Sequence, residues 1–129
     1  MRDTGDDSQG KTLLIVDDDD AFRDRLVRAM ENRGYEVTAL ASVNKAQLLA
    51  PELRPKFAVV DLRMPDGSGL DVVKALREVR DSTRIVILTR YGNIATAVAA
   101  VKVGAVDYLA KPADADAIHR ALTSGDRPL

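Results

Sequence analysis

The chain has 129 residues, 46% of them apolar and 30% charged, which suits one compact domain with a single core. Its 19 basic and 20 acidic residues nearly cancel, excluding a broad electrostatic pull toward nucleic acid or anionic lipid. With no cysteine and a single histidine, disulfides, thiolate metal sites and His-built metal clusters are excluded. No apolar run nears the length of a membrane span.

Residues 1–10, MRDTGDDSQG, are polar and are expected to form a flexible tail. KTLLIV, from Lys11 to Val16, is too short for a helix and fits a buried strand. It runs straight into Asp17, Asp18, Asp19 and Asp20, a density of like charge that is either simply solvated or holds something positive among it. From Ala21 the period lengthens, and Phe22, Leu26 and Met30, with Val27 and Ala29 beside them, share a helical face. Asp20 is the expected cap, Asp19 an exposed first-turn carboxylate, and Gly34 the stop. YEVTAL alternates as a strand. SVNKAQLLA reads as a short helix from a capping Ser42 to Pro51.

KFAVVD is a second buried run, ending in Asp61. GLDVVKALREV places Leu70, Val72, Val73 and Leu76 on one helical face. RIVILT is a third buried strand, ending in Thr89. NIATAVAAVKVG sets Ile94, Val98 and Val101 on a face and stops at Gly104. VDYLA is the last strand and ADADAIHRALTS the last helix, where His119 is expected to be a plain surface residue. The closing SGDRPL reads as the opening of a linker.

Five strand-then-helix units, with mostly unbroken apolar strands, predict an α/β domain whose parallel sheet is covered on both faces. The expected architecture is a flavodoxin-like (βα)5 doubly wound sheet of order 2-1-3-4-5. Ligands then sit beyond the carboxyl ends of the strands, near the first and third. That rim gathers the four aspartates, Asp61, Thr89, Tyr108 and the pair Lys111-Pro112. Clustered carboxylates suit a hard cation, and Mg2+ fits best, because it takes one or two carboxylates, keeps waters and accepts phosphate. A carboxylate is also a competent nucleophile toward phosphorus. Lysine, metal and a hydroxyl can then offset charge on the transferring group.

The set LLIVDDD, VVDLRMPDGSG, VILTRYG and VDYLAKP, in that order, resembles the receiver domain of two-component response regulators, over Lys11 to Thr123. The run RYGNIATAVAAVKVGAVDYLAKPADADA is further similar to the redox-responsive RegA/PrrA/ActR group. By position, the resemblance implies that Asp61 accepts the phosphoryl group and that Lys111 pairs with it. It implies that Asp18 ligates Mg2+ directly, Asp17 mainly through water, and Arg63 through its main-chain carbonyl. Thr89 and Tyr108 would be the two halves of the switch, and the Lys111–Pro112 bond would be cis. The implied partners are a sensor histidine kinase and, on phosphorylation, a second copy of the chain. Ala97, Val101, Lys102, Asp107 and Arg120 are candidates for the responding surface. DNA would be reached only through a C-terminal domain beyond residues 124–129; the alternative is a free-standing single-domain receiver in a phosphorelay. The expected setting is the cytoplasm, with no membrane partner, and the expected role is a transcription switch rather than an enzyme.

Two positions depart from the family pattern. The place after Thr89, usually small, holds Arg90, followed by Tyr91; either these two with Arg63 shield the acyl phosphate from water, or Arg90 simply extends into solvent. The aromatic residue usual after Lys-Pro is replaced by Ala113. Rival classes share the fold. A phosphohydrolase of the haloacid-dehalogenase type wants an aspartate two residues after its nucleophile, where Arg63 stands here. A flavin binder wants a Ser/Thr/Gly-rich loop where four aspartates stand.

Overall fold

A computed structural model describes residues 10–90, 94–105 and 107–124; the side chains of residues 94, 96 and 97 lie outside that description. Five strands alternate with five helices: β1 (Thr12–Val16), α1 (Asp20–Glu31), β2 (Glu36–Leu40), α2 (Val43–Leu53), β3 (Phe57–Asp61), α3 (Gly69–Val79), β4 (Arg84–Thr89), α4 (Ile94–Lys102), β5 (Asp107–Ala110) and α5 (Ala115–Ser124). A two-residue hairpin, Arg63–Met64 against Gly67–Ser68, interrupts the path from β3 to α3. The sheet order is β2-β1-β3-β4-β5, wholly parallel, as the alternation of strands and helices predicts.

The apolar strands bury both faces. On β1, Leu14 and Val16 point to one side and Leu13 and Ile15 to the other. The first side is closed by Val43, Ala46 and Ala50 of α2, Val72, Val73 and Leu76 of α3, and Ala100 of α4. The second is closed by Leu26 and Met30 of α1 and by Ile118, Ala121 and Leu122 of α5. Each fully buried Leu, Ile or Met contributes on the order of 1.5–3 kcal/mol of transfer free energy, so this double layer fixes where every strand must end. Register does the rest. Val16 pairs with Val60 and Asp61 with Leu88, which brings the aspartates after β1 and the end of β3 to one edge.

Three expectations are corrected. Asp19, not Asp20, caps α1: its backbone is extended and its carboxylate accepts the Phe22 N–H at 3.1 Å, while Asp20 sits in the first turn and pairs with Arg23 at 2.7 Å. Pro51 does not stop α2, which continues to Leu53 and closes on Arg54 in the left-handed region (φ 40°). A proline this near the C-terminus removes one helical hydrogen bond, and burial of Val43, Ala46 and Ala50 outweighs it. On α4, Val98 and Val101 are 46% and 61% exposed, and Ala100 is the buried contact. So many small apolar residues surround that helix that spacing alone does not select the face that packs.

Candidate functional site

Asp17 follows β1 directly and is 1% exposed, Asp61 ends β3 and is buried, and Asp18 lies exposed beside them. One carboxylate oxygen from each of the three falls within 4.8 Å of the others. Lys111, immediately after β5, enters from the far side. Its Nζ stands 2.8 Å from Asp17 Oδ2 and 3.6 Å from Asp61 Oδ2, with its side chain 6% exposed. The Lys111 N–H donates to the Thr89 carbonyl at 2.8 Å, which fixes the start of the side chain. The Phe22 ring, 4.7 Å from Nζ, covers the ammonium from the α1 side. The Lys111–Pro112 bond is cis, as the resemblance implies.

The site is short of positive charge. Burial and, next, the charge of Asp17 push the Asp61 carboxyl up to about 6; Lys111 opposes this and Asp18 reinforces it. Asp17 Oδ2 is buried and meets the Lys111 ammonium at 2.8 Å. An all-oxygen donor set of three carboxylates gathered beside one buried lysine fits a hard divalent cation.

The neighbouring backbone is tightly constrained. The Gly69 N–H donates to the Leu62 carbonyl at 2.7 Å, and a Cβ on Gly69 would lie 2.2 Å from the Asp61 carbonyl oxygen. Only glycine allows α3 to start this close to the end of β3. Asp66, in the hairpin turn, accepts the N–H groups of Val43 and Asn44 at 3.0 Å each, tying the turn to the start of α2. These two N–H groups hold its carboxyl below the usual carboxylate range.

Thr89 is buried at the end of β4, and Tyr108 is half-buried on β5. Arg63 is exposed in the hairpin. Arg90 is exposed and reaches across the rim to Asp19, Nη2 to Oδ2 at 3.3 Å. Tyr91 lies outside the described residues, as does the Ala97 side chain. Val101, Lys102, Asp107 and Arg120 are all exposed. Sequence reasoning missed three features. Phe22 stands in the sequence only as part of an apolar helical face, with nothing to pair it with Lys111. Gly69 opens its helix with no local sign of the close approach to Asp61. His119 is not a plain surface residue, since its Nδ1 is 2.8 Å from the Tyr35 hydroxyl. The aromatic Tyr35 before β2 was the available signal for that last pair.

A five-stranded parallel sheet with three carboxylates and a buried lysine at its switch point defines a flavodoxin-like domain with an acidic rim. The chain belongs to the response regulator receiver domain family, which it matches over residues 13–123. It is 62% identical over 112 residues to the acid tolerance regulatory protein ActR of Rhizobium meliloti, covering 87% of this chain and 58% of that protein. It is 56% identical over 112 residues to the photosynthetic apparatus regulatory protein RegA of Rhodobacter capsulatus, covering 87% of this chain and 61% of that protein. The chain thus spans about three-fifths of the length of these curated relatives. Among solved structures it is similar to a response regulator protein from Burkholderia pseudomallei (TM-score 0.84, 41% identity, 89% of this chain and 68% of that one). That crystal structure contains a phosphorylated aspartic acid, a calcium ion and citrate. Among the described residues, no helix is long and apolar enough to cross a membrane.

Proposed function

We propose that this receiver domain takes a phosphoryl group onto Asp61 from a sensor histidine kinase and uses it to switch a transcription output. The observation that carries the reading is the meeting of Asp17, Asp18 and Asp61 within 4.8 Å, with Lys111 Nζ 2.8 Å from Asp17 and 3.6 Å from Asp61. An Asp61 carboxylate oxygen forms the new bond to phosphorus as the donor's own bond to phosphorus breaks, and the leaving group keeps the electron pair. Lys111 offsets the added charge, and the Thr89 hydroxyl donates to a phosphoryl oxygen. Asp17, Asp18, Asp61 and the Arg63 main-chain carbonyl would hold Mg2+, which when bound neutralises charge on the transferring group. Arg63 and Arg90, which line the cavity beside Asp61, restrict water at the rim.

The phosphoryl group adds close to two negative charges and three strong acceptors, so it favours whichever arrangement of Thr89 and Tyr108 satisfies them. The responding surface is α4, β5 and α5, where Val98 and Val101 already stand exposed, and its partner is a second copy of the chain. DNA contact belongs to a further C-terminal domain, and the setting is the cytoplasm. The domain is a signalling switch with at most self-catalysed transfer and slow self-dephosphorylation. Control of redox-responsive genes is the finer reading, and it rests on resemblance to the RegA/PrrA/ActR group.

The test is intact-protein mass after incubation with a small acyl phosphate, for the parent and Asp61→Asn, with Mg2+ or with chelator. The expected result is one Mg2+-dependent phosphoryl adduct in the parent and none in Asp61→Asn. An adduct that survives Asp61→Asn would place the acceptor elsewhere. Inorganic phosphate released in many turnovers would favour a hydrolase.

A further inference from the structure

Arg90 and Asp19 are the two residues shared by a pair of adjoining cavities at the rim. One, of about 240 Å3, is lined by Asp18, Asp61 and Arg63; the other, of about 250 Å3, by Phe22, Arg25 and Lys111. The Arg90–Asp19 bridge therefore borders both the cavity lined by Asp61 and the groove beside α1. Its anionic half is fixed and its cationic half is not. Asp19 Oδ1 is committed to the Phe22 N–H at 3.1 Å, and the Asp19 N–H donates to Asp17 Oδ1 at 2.9 Å, which leaves Oδ2 aimed at the guanidinium. Arg90, with its side chain 58% exposed and 3.3 Å from that oxygen, holds it by a weak and exchangeable contact.

Resting on the phospho-acceptor reading above, we propose that Asp19 is a competing anion that stores Arg90 away from Asp61, and that a phosphoryl group on Asp61 takes Arg90 from it. The phosphoryl group carries nearly twice the charge of a carboxylate. It also offers three oxygens to a planar fork of donors suited to bidentate pairing. Arg90 needs no new path, because it already borders the chamber of Asp61. Once moved, it occupies the side from which water attacks. In hydrolysis, the water oxygen bonds to phosphorus, the Asp61 Oδ–P bond breaks with its electrons left on the carboxylate, and dihydrogen phosphate departs. No further reactant is needed. Asp19 thus shortens the life of the phosphoryl group by holding back the residue that protects it.

The two single substitutions should act in opposite directions. Arg90→Ala removes the shield. Asp19→Asn releases Arg90 while keeping the helix cap, because asparagine caps as well as aspartate. The protein is phosphorylated with a small acyl phosphate, the donor is removed, and adduct decay is followed by intact mass in Mg2+. Arg90→Ala should shorten the half-life about fivefold and Asp19→Asn lengthen it about twofold to fivefold, the span of an exposed ion pair. In the double variant, Asp19→Asn should add nothing to Arg90→Ala. Decay unchanged by Asp19→Asn, or an Asp19→Asn effect that persists without Arg90, would overturn the competition and leave the acceptor reading intact. A parent with no adduct that Asp61→Asn abolishes would overturn both.

Discussion

Replacing Asp61 by asparagine should stabilise the cation-free protein even as it removes the proposed phosphoryl acceptor. The cause is electrostatic. The Asp61 carboxyl is raised from 3.8 to about 6, first by burial and then by the charge of Asp17. At about 1.36 kcal/mol per pH unit, that rise corresponds to about 3 kcal/mol of cost once the group is ionised. Asparagine keeps the shape, keeps an oxygen for the Arg63 N–H and carries no charge. Lys111 loses only its longer partner, at 3.6 Å, and keeps Asp17 at 2.8 Å. This loss reduces the gain to about 1.5–3 kcal/mol, or roughly 5–10 °C in melting temperature for a domain of this size. The sign with pH follows from proton counting. A folded-state value above the unfolded one means that the native state binds the extra proton, so the contribution is present below 3.8 and is lost as pH rises through about 6. The gap between variant and parent should therefore open across that window and stay constant above it. Thermal melts followed by circular dichroism from pH 4 to 7.5, in chelator, measure this directly. A variant less stable than the parent at pH 7.5, or a gap independent of pH, would refute the account of the site as a store of uncompensated negative charge.

Gly69→Ala should destabilise the domain by about 3 kcal/mol in urea unfolding, because its Cβ would stand 2.2 Å from a backbone oxygen held inside the sheet. A loss below about 1 kcal/mol would show that the β3–α3 junction can relax. His119, the only histidine, should titrate below 6.5 when its imidazole resonance is followed by NMR. Burial lowers it most, Lys11 and Arg33 add to this, and Asp116 opposes. The unfolded state then takes its proton first as pH falls. The His119 contribution to stability is thus complete above 6.5 and is lost as pH drops from there toward the folded value. Titration at or above 6.5 would contradict the packing of His119 against Tyr35.

The sheet and the meeting of its polar residues were legible because they depend on one-dimensional features. Three apolar runs and the last strand, VDYLA, end in polar residues, and a parallel sheet turns each strand's end into a point on one rim. That is how Asp17, Asp61, Thr89 and Lys111, far apart in sequence, could be assigned to one place before any contact was known. Features decided by competition between close alternatives were not legible. Asp19 and Asp20 are chemically equal as caps, and the choice falls on Asp19 because its carboxylate reaches the Phe22 N–H while Asp20 is drawn to Arg23. Pro51 reads as a stop on local grounds, yet the buried α2 face carries the helix past it. The Arg90–Asp19 bridge and the Phe22–Lys111 stack are tertiary pairings between β4, β5 and α1 that no local pattern encodes.

Four aspartates in a row survive at the end of β1 because the fold gives each a different environment. Asp17 turns inward to Lys111, and its main-chain carbonyl accepts Arg23 Nη1 at 2.8 Å. Asp18 faces the chamber shared with Asp61. Asp19 closes the start of α1 and meets Arg90, and its carboxyl is held below the usual range, first by the Phe22 N–H. Asp20 sits in the first turn, where the helix dipole favours it, and pairs with Arg23. Three of the four charges are thus matched by a fixed cation or N–H group, while Asp18 shares a cavity with Asp61, whose carboxyl is raised by burial and by its acidic neighbours. The strand that must be apolar to build the sheet ends where the helix that follows must begin with an acceptor. The two requirements meet in four residues, and the excess of negative charge beyond what folding needs lies toward Asp61. That asymmetry predicts different phenotypes for neutralising adjacent residues: cation binding for Asp18, helix start and Arg90 position for Asp19, and a local ion pair for Asp20.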